Sequence, residues 1–191
     1  MTAARYLFAG NALLTTNPQE LKAAAEQTYP SDPRWPEALE VDALDLEREY
    51  VRLFLSPGGA VCPPWQSVYC KDQESPMLMG DSHSSALAFY REYGMAPVHG
   101  NEPADHAGLL LLFAGMLAEN GVAEDEMERF RIRHLAWLDG FAAQLEAETR
   151  LAFYRLLAAE FRAAAGECSE HGSQHEGDRA RAVGLGGDVA E

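Results

Sequence analysis

Three features of the chain predict an all-α fold. Ala, Leu, Glu and Arg dominate, apolar residues recur at spacings of three and four, and alternating β-branched runs are almost absent. The length of 191 residues suits one domain whose core needs neither disulfides nor metal. A hydrophobic fraction of 47% with 24% charged residues is that of a folding chain.

The elements follow in order. Thr2 to Thr15 reads as a first helix, and Pro18, near the start of Gln19 to Gln27, opens a second. Three prolines between Tyr29 and Pro36 predict a loop. Val41, Leu44, Tyr50, Val51 and Phe54 are expected on one face of a helix that runs to about Leu55, where Ser-Pro-Gly-Gly ends it. From Ser56 to Gly80 the helical pattern fails, because Pro57, Gly58, Gly59, Pro63, Pro64, Pro76 and Gly80 crowd the segment. Trp65, Val68, Tyr69 and Met77 within it favour a functional loop over a disordered one.

Asp81 or Ser82 is expected to cap a helix carrying Leu87, Tyr90 and Tyr93 and closed by Gly94. Pro103 fits the first turn of the next helix, with Asp105 near its positive end. The body of that helix, Leu109-Leu110-Leu111-Leu112-Phe113, is apolar on every side and belongs at the centre of the fold. Glu124 to about Leu135, Trp137 to Glu148 and Thr149 to Ala165 supply amphipathic helices around it. After Gly166 the composition shifts to glycine and acid, so the reading is one helical domain over residues 1–166 and a flexible tail over 167–191.

The charge narrows the function. Thirty acids against 15 basic residues give −15 at pH 7, and the only lysines are Lys22 and Lys71. No basic stripe marks a nucleic-acid binder, and anionic membranes are equally poor partners. The surplus favours a cationic partner such as a polyamine, a metal or a Lys/Arg-bearing peptide, or simple solvation. Cys62, Cys70 and Cys168 are an odd number, which suits the cytosol. Met1 to Leu14 does not read as a signal peptide. The apolar run Ala107 to Ala118 falls short of the roughly 20 residues that cross a bilayer.

Few residues promise chemistry. Asp105-His106 sets a carboxylate beside an imidazole, but neighbours on a helix point about 100° apart. A binding role competes there with a capping acid and a satisfied helix-entrance histidine. Cys168-x2-His171-x3-His175 resembles half of a zinc site without a second half, so no metal is expected. No phosphate-cradling loop is present, and no cofactor is expected. The unusual feature is Val61-Cys62-Pro63-Pro64-Trp65-Gln66-Ser67-Val68-Tyr69. Two prolines stiffen a backbone that presents Trp65 and Tyr69, aromatics with a polar edge. The segment is a recognition element or a plug over helix ends.

These residues carry a resemblance. Tyr50-Val51-Arg52-Leu53-Phe54, Pro57-Gly58 and Pro63-Pro64-Trp65-Gln66-Ser67-Val68-Tyr69 resemble the "Y-x-x-L-F-x-G-P-G … P-P-W-G-S-V-Y" signature of the TorD/DmsD family of redox-enzyme maturation chaperones. Asn101-Glu102-Pro103-Ala104-Asp105-His106, the leucine-rich helix, and Leu117-Ala118-Glu119-Asn120-Gly121 are similar to its "E-P-x-D-H" helix, particularly in the DmsD branch. His134-Leu135-x-Trp137 and Phe153-Tyr154 keep the spacing. The likeness extends from about Tyr6 to Ala165. Gln66 stands where glycine is usual, Ala136 where a proline is frequent, and Ser56 where glycine often precedes the proline.

The resemblance implies an all-α cytoplasmic chaperone that binds the twin-arginine leader of a molybdopterin oxidoreductase subunit, with the dimethyl sulfoxide reductase type favoured. It would hold the precursor until cofactor insertion and then release it to the Tat translocase. Guanidinium pairs with carboxylate and stacks on aromatic faces, so Asp105, Glu102 and the acids of Glu37 to Glu49 are candidates for the arginines. Trp65, Tyr69, Leu53, Phe54, Pro64 and Ser67 are candidates for an adjoining groove, and His106 for a hydrogen bond to peptide backbone. The expected binding is non-covalent, by a monomer or a segment-exchanged dimer. The alternatives are a helical metal-dependent hydrolase using Asp105 and His106, and a general acidic interaction module.

Overall fold

The computed structural model describes residues 1–55, 59–70, 79–96 and 102–166. The expected tail of 167–191, with Cys168, His171 and His175, lies outside the described residues, as do Ser56 to Gly58, Met77 and Asn101. Among the described residues ten α-helices occur and no named strand. They are α1 Ala3–Asn11, α2 Pro18–Thr28, α3 Arg34–Ala38, α4 Ala43–Tyr50, α5 Gln66–Tyr69, α6 Asp81–Glu92, α7 Ala107–Glu119, α8 Glu124–His134, α9 Leu138–Glu148 and α10 Ala152–Ala165. A π-helical turn, Val51–Leu55, continues α4.

Local chemistry explains the boundaries. Asn17 caps α2 by accepting from the N–H groups of Gln19 and Glu20, with Pro18 in the first turn. Asp42 caps α4 through Leu44 N–H. In α8 the acids Glu124, Asp125 and Glu126 open the helix and Arg131, Arg133 and His134 close it, both favourable to its dipole. Gly94 ends the turn after α6 at φ +67°, where a side chain would be strained.

Four local expectations need correction. Arg34–Ala38 is a short helix rather than loop, because Pro33 and Pro36 fall at its start, where their missing N–H groups are not needed. Leu44 and Val51 point outward, and Leu46, Leu53 and Phe54 take the core side of that helix. Neither Asp81 nor Ser82 caps α6, since Gly80 stands at that place. Helix α7 begins only at Ala107, so Pro103 and Asp105 precede it, and His106 is its cap.

The core is built around α7 as its composition requires, with Leu109, Leu110, Leu111, Phe113 and Leu117 buried. Helix α1 makes the most extensive pairing with α7, and α9 with α10. The first pair approaches backbone to backbone. A Cβ on Gly10 would lie 2.8 Å from the Gly108 carbonyl oxygen, and one on Gly115 2.6 Å from the Leu7 side chain. Numbers rise along α1 as they fall along α7, so the two helices run antiparallel.

A second junction is polar. Glu49 is buried and accepts from Arg52 at 2.8 and 2.9 Å and from Arg150 N–H at 2.7 Å, while Arg52 also donates to the Glu148 carbonyl. Burial raises the Glu49 carboxyl, but these donors outweigh it and its pKa is lowered. The start of α10 is thereby tied to α4. No helix among the described residues is long and apolar enough to cross a membrane.

Candidate functional site

The segment from Gly59 to Cys70, expected from sequence to be non-helical throughout, closes in the single turn of α5 and is pinned along its length. Cys62 N–H donates to the Leu53 carbonyl at 2.7 Å, and Gln144 Nε2 to the Val61 carbonyl at 2.6 Å. Oε1 of the same amide accepts from the Tyr69 hydroxyl at 2.8 Å, so one side chain of α9 clamps both ends of the loop. Burial pushes the Tyr69 hydroxyl up. Cys62 is buried, and its thiol is pushed up to about 11, first by burial and then by the charge of Glu148, which leaves it an inert packing residue.

The middle of the loop meets the segment before α7. Ala107 N–H donates to the Pro64 carbonyl at 2.8 Å, and Gln66 N–H to the Asp105 carbonyl at 3.1 Å. Trp65 and His106 form an isolated antiparallel bridge between them, their rings edge to face at 6.2 Å. Oδ2 of Asp105 accepts from Ser67 N–H at 2.9 Å, while Nδ1 of His106 accepts from Gly108 N–H at 3.1 Å and caps α7.

Helix α6 holds this turn from the other side. Ala104 N–H donates to Nδ1 of His83 at 2.9 Å, and the Tyr90 hydroxyl donates to the Ala104 carbonyl at 2.7 Å. Burial, then the charge of Asp105, pushes the Tyr90 hydroxyl up, so it stays a donor at any ordinary pH.

Three polar atoms in this junction are buried without a hydrogen-bond partner: Nε1 of Trp65, Oγ of Ser67 and Oδ1 of Asp105. Buried polar atoms are normally paired, because leaving one unpaired costs about 1–3 kcal/mol. A donor, a hydroxyl and a carboxylate oxygen together can receive a ligand group that both donates and accepts.

The structure thus brings Trp65, Ser67, Pro64, Asp105 and His106 together, and places Tyr69 at the end of the same loop. Glu102 is partly buried three residues before Asp105. Leu53 and Phe54 are not on an open groove. Phe54 packs on Tyr50, Tyr154 and Phe141, and both residues lie in the core beneath the loop. Asp105 itself is 0% exposed, so it begins as a support of the loop. Composition and spacing left Gln144, His83 and Tyr90 without a role at the site, since a polar residue on an amphipathic helix looks like solvated surface. Among the described residues no group of three or more His, Cys, Asp or Glu is placed to hold a metal ion, so the hydrolase alternative finds no ligand cluster there.

Comparison with known proteins follows the same residues. The family described as nitrate reductase delta subunit matches residues 12–147. The Tat proofreading chaperone DmsD of Salmonella typhi is 43% identical over 91 residues, 47% of this chain and 43% of that one. The chaperone protein TorD of a Shewanella species is 28% identical over 119 residues, 60% of this chain and 57% of that one. The chain thus spans about half the length of the curated relatives it matches. A crystal structure of a candidate redox enzyme maturation protein from Archaeoglobus fulgidus superposes with a TM-score of 0.62 at 25% identity, covering 84% of this chain and 91% of that one. Both signatures lie within the matched region and meet in one hydrogen-bonded junction, and the chain belongs to the TorD/DmsD family of redox-enzyme maturation chaperones.

Proposed function

We propose that this protein binds the twin-arginine leader of a molybdopterin oxidoreductase catalytic subunit, of the dimethyl sulfoxide reductase type, and releases the matured precursor to the Tat translocase. The observation that carries the reading is the unpartnered set of Asp105 Oδ1, Ser67 Oγ and Trp65 Nε1, buried where the two signatures meet. A peptide carrying arginine supplies what that set lacks: guanidinium N–H groups for the carboxylate and a backbone carbonyl for the indole N–H. Trp65 and Tyr69 add aromatic surface for guanidinium or apolar side chains. Asp105 is covered in the free protein, so binding displaces what lies over Oδ1. His106 contributes by fixing the start of α7 and, on binding, by a hydrogen bond to the leader backbone. Glu102 and the exposed acids Glu37, Glu40, Asp42, Asp45 and Glu47 attract the cationic leader from a distance. Binding is non-covalent, with no chemical turnover, and takes place in the cytoplasm before export.

Titration of a twin-arginine leader peptide tests this. Asp105→Asn and Trp65→Ala are each expected to weaken binding about tenfold or more, the size of one lost charge-assisted contact. A Lys-Lys leader should bind distinctly more weakly, since ammonium lacks the planar fork of guanidinium. Unchanged affinity in both variants overturns the site, and equal affinity for the Lys-Lys leader favours a general acidic interaction module.

A further inference from the structure

Gln66 occupies a position where the resembling signature usually has glycine, and its side chain is buried and fully engaged. Nε2 donates to the Arg133 carbonyl at 2.7 Å, near the end of α8, which fixes the two ends of the amide. Oε1 then lies 2.9 Å from Nδ1 of His134. An amide oxygen only accepts, so Nδ1 carries the proton. Nε2 of His134, 3.2 Å from the Ser85 hydroxyl, is left to accept from it, and Ser85 Oγ accepts in turn from Nε of Arg133 at 3.4 Å. The ring is fully buried against Phe89 and Phe130, with centroids at 5.1 and 5.2 Å. Every polar atom of the ring and of the Gln66 amide has one partner, and the arrangement allows a single tautomer.

The same residue holds the other side of the junction through its backbone, because Gln66 N–H meets the Asp105 carbonyl and the next N–H, of Ser67, meets Asp105 Oδ2. We propose that Gln66 and His134 are positioning residues of the recognition loop: the neutral Nδ1–H form of His134 locks the Gln66 amide to α8, and that lock keeps two consecutive N–H groups on Asp105, reserving its second oxygen for the ligand. The functional half of this inference rests on the leader-binding reading above. A glycine at this position has no side chain to reach α8, so a chain with glycine there lacks the device. Burial, and then the charge of Arg133, lowers the His134 pKa to about 4, in keeping with a ring that stays neutral.

Ring-nitrogen NMR of His134 and amide hydrogen exchange at Ser67, each with and without the twin-arginine leader, test the lock. The native protein is expected to show a neutral Nδ1–H ring at pH 7 and a protected Ser67 amide. Gln66→Leu keeps the apolar bulk but removes both hydrogen bonds; it should lose the Nδ1–H tautomer, speed Ser67 exchange about tenfold or more, and weaken leader binding by a similar factor. Ser85→Ala removes the partner of Nε2 and the acceptor of Arg133 Nε but leaves both bonds of the Gln66 amide, and should keep the tautomer and Ser67 exchange as in the native protein. Should Gln66→Leu not fold, Gln66→Asn, whose shorter amide cannot span both partners, takes its place with the same expected outcome. Native-like exchange and tautomer in the substituted protein overturn the lock, and faster exchange with unchanged leader affinity overturns its role in binding. If the native protein binds no leader, the functional reading fails, while the ring and amide signals still decide the lock.

Discussion

Ser67 N–H donates to Oδ2 of Asp105 at 2.9 Å, joining residues 38 positions apart in a setting closed to water. One carboxylate therefore both supports the recognition loop and keeps a second oxygen without a partner. Structural and binding roles can be separated by substitution.

Asp105→Ala leaves the Ser67 N–H buried without an acceptor and is expected to cost about 1–3 kcal/mol of stability. Asp105→Asn retains an oxygen for Ser67 and should cost less, while losing the charge that a guanidinium seeks. Chemical denaturation of the two variants beside the native protein measures the difference; equal losses would show that Ser67 gains nothing from the carboxylate.

His134 predicts a mildly acid-sensitive fold. Its pKa is about 4 in the folded state against an ordinary value of 6.5, because burial disfavours the charged ring. The unfolded chain therefore takes up the proton first on acidification. The stabilisation is present above about pH 6.5, declines as pH falls, and is lost as pH drops through about 4. Between pH 7 and 5 this amounts to about 2 kcal/mol. Urea unfolding across that range should show the slope in the native protein and a flatter one in His134→Gln, which has no titrating ring.

The seam between α1 and α7 separates two kinds of tight contact. An added Cβ at Gly10 meets backbone atoms, the Gly108 oxygen at 2.8 Å and the Leu112 nitrogen at 2.9 Å, and these cannot move without shifting a helix. At Gly115 the nearest atoms belong to the flexible end of Leu7, at 2.6 and 2.7 Å. Gly10→Ala is expected to cost about 1–3 kcal/mol and Gly115→Ala distinctly less, read from thermal or urea unfolding.

Glu49→Ala removes the acceptor shared by Arg52 and Arg150 N–H at a nearly covered position. A loss of about 2–4 kcal/mol is expected, since the stranded donors remain at the junction. Disrupting the exposed pair of Arg48 and Asp45 on the same helix should have no comparable effect, and unfolding midpoints of the two variants make the comparison.

Much of this architecture can be read from residue spacing. The leucine-rich body of α7 is apolar all round and proves central, and Gly94 closes α6 where its freedom at positive φ is needed. Helix α3 is hidden because prolines usually signal loop, and only their placement in a first turn makes them compatible with helix. Leu46 takes the core side instead of Leu44 because positions 46, 50, 53 and 54 are spaced as one helical stripe, which leaves Leu44 on the opposite face. At the site, Trp65, Ser67, Asp105 and His106 are legible through the resemblance, but the bond joining Ser67 to Asp105 is not. A hydrogen bond between distant segments leaves no periodic trace in sequence. Gln66 stands out only as a departure from a signature, and nothing in the order of residues pairs it with His134.

The glycine seam has a consequence for how the N-terminal helix should be regarded. Helix α1 carries none of the candidate binding residues, yet Gly10 rests directly against Gly108, two positions beyond the histidine that caps α7. No compressible side chain separates the two backbones there, so α1 acts as a bearing surface that sets the height of the Asp105-His106 turn. Trimming or fusing onto the first dozen residues is therefore expected to disturb the Asp105-His106 turn from behind, and with it any binding at the proposed site.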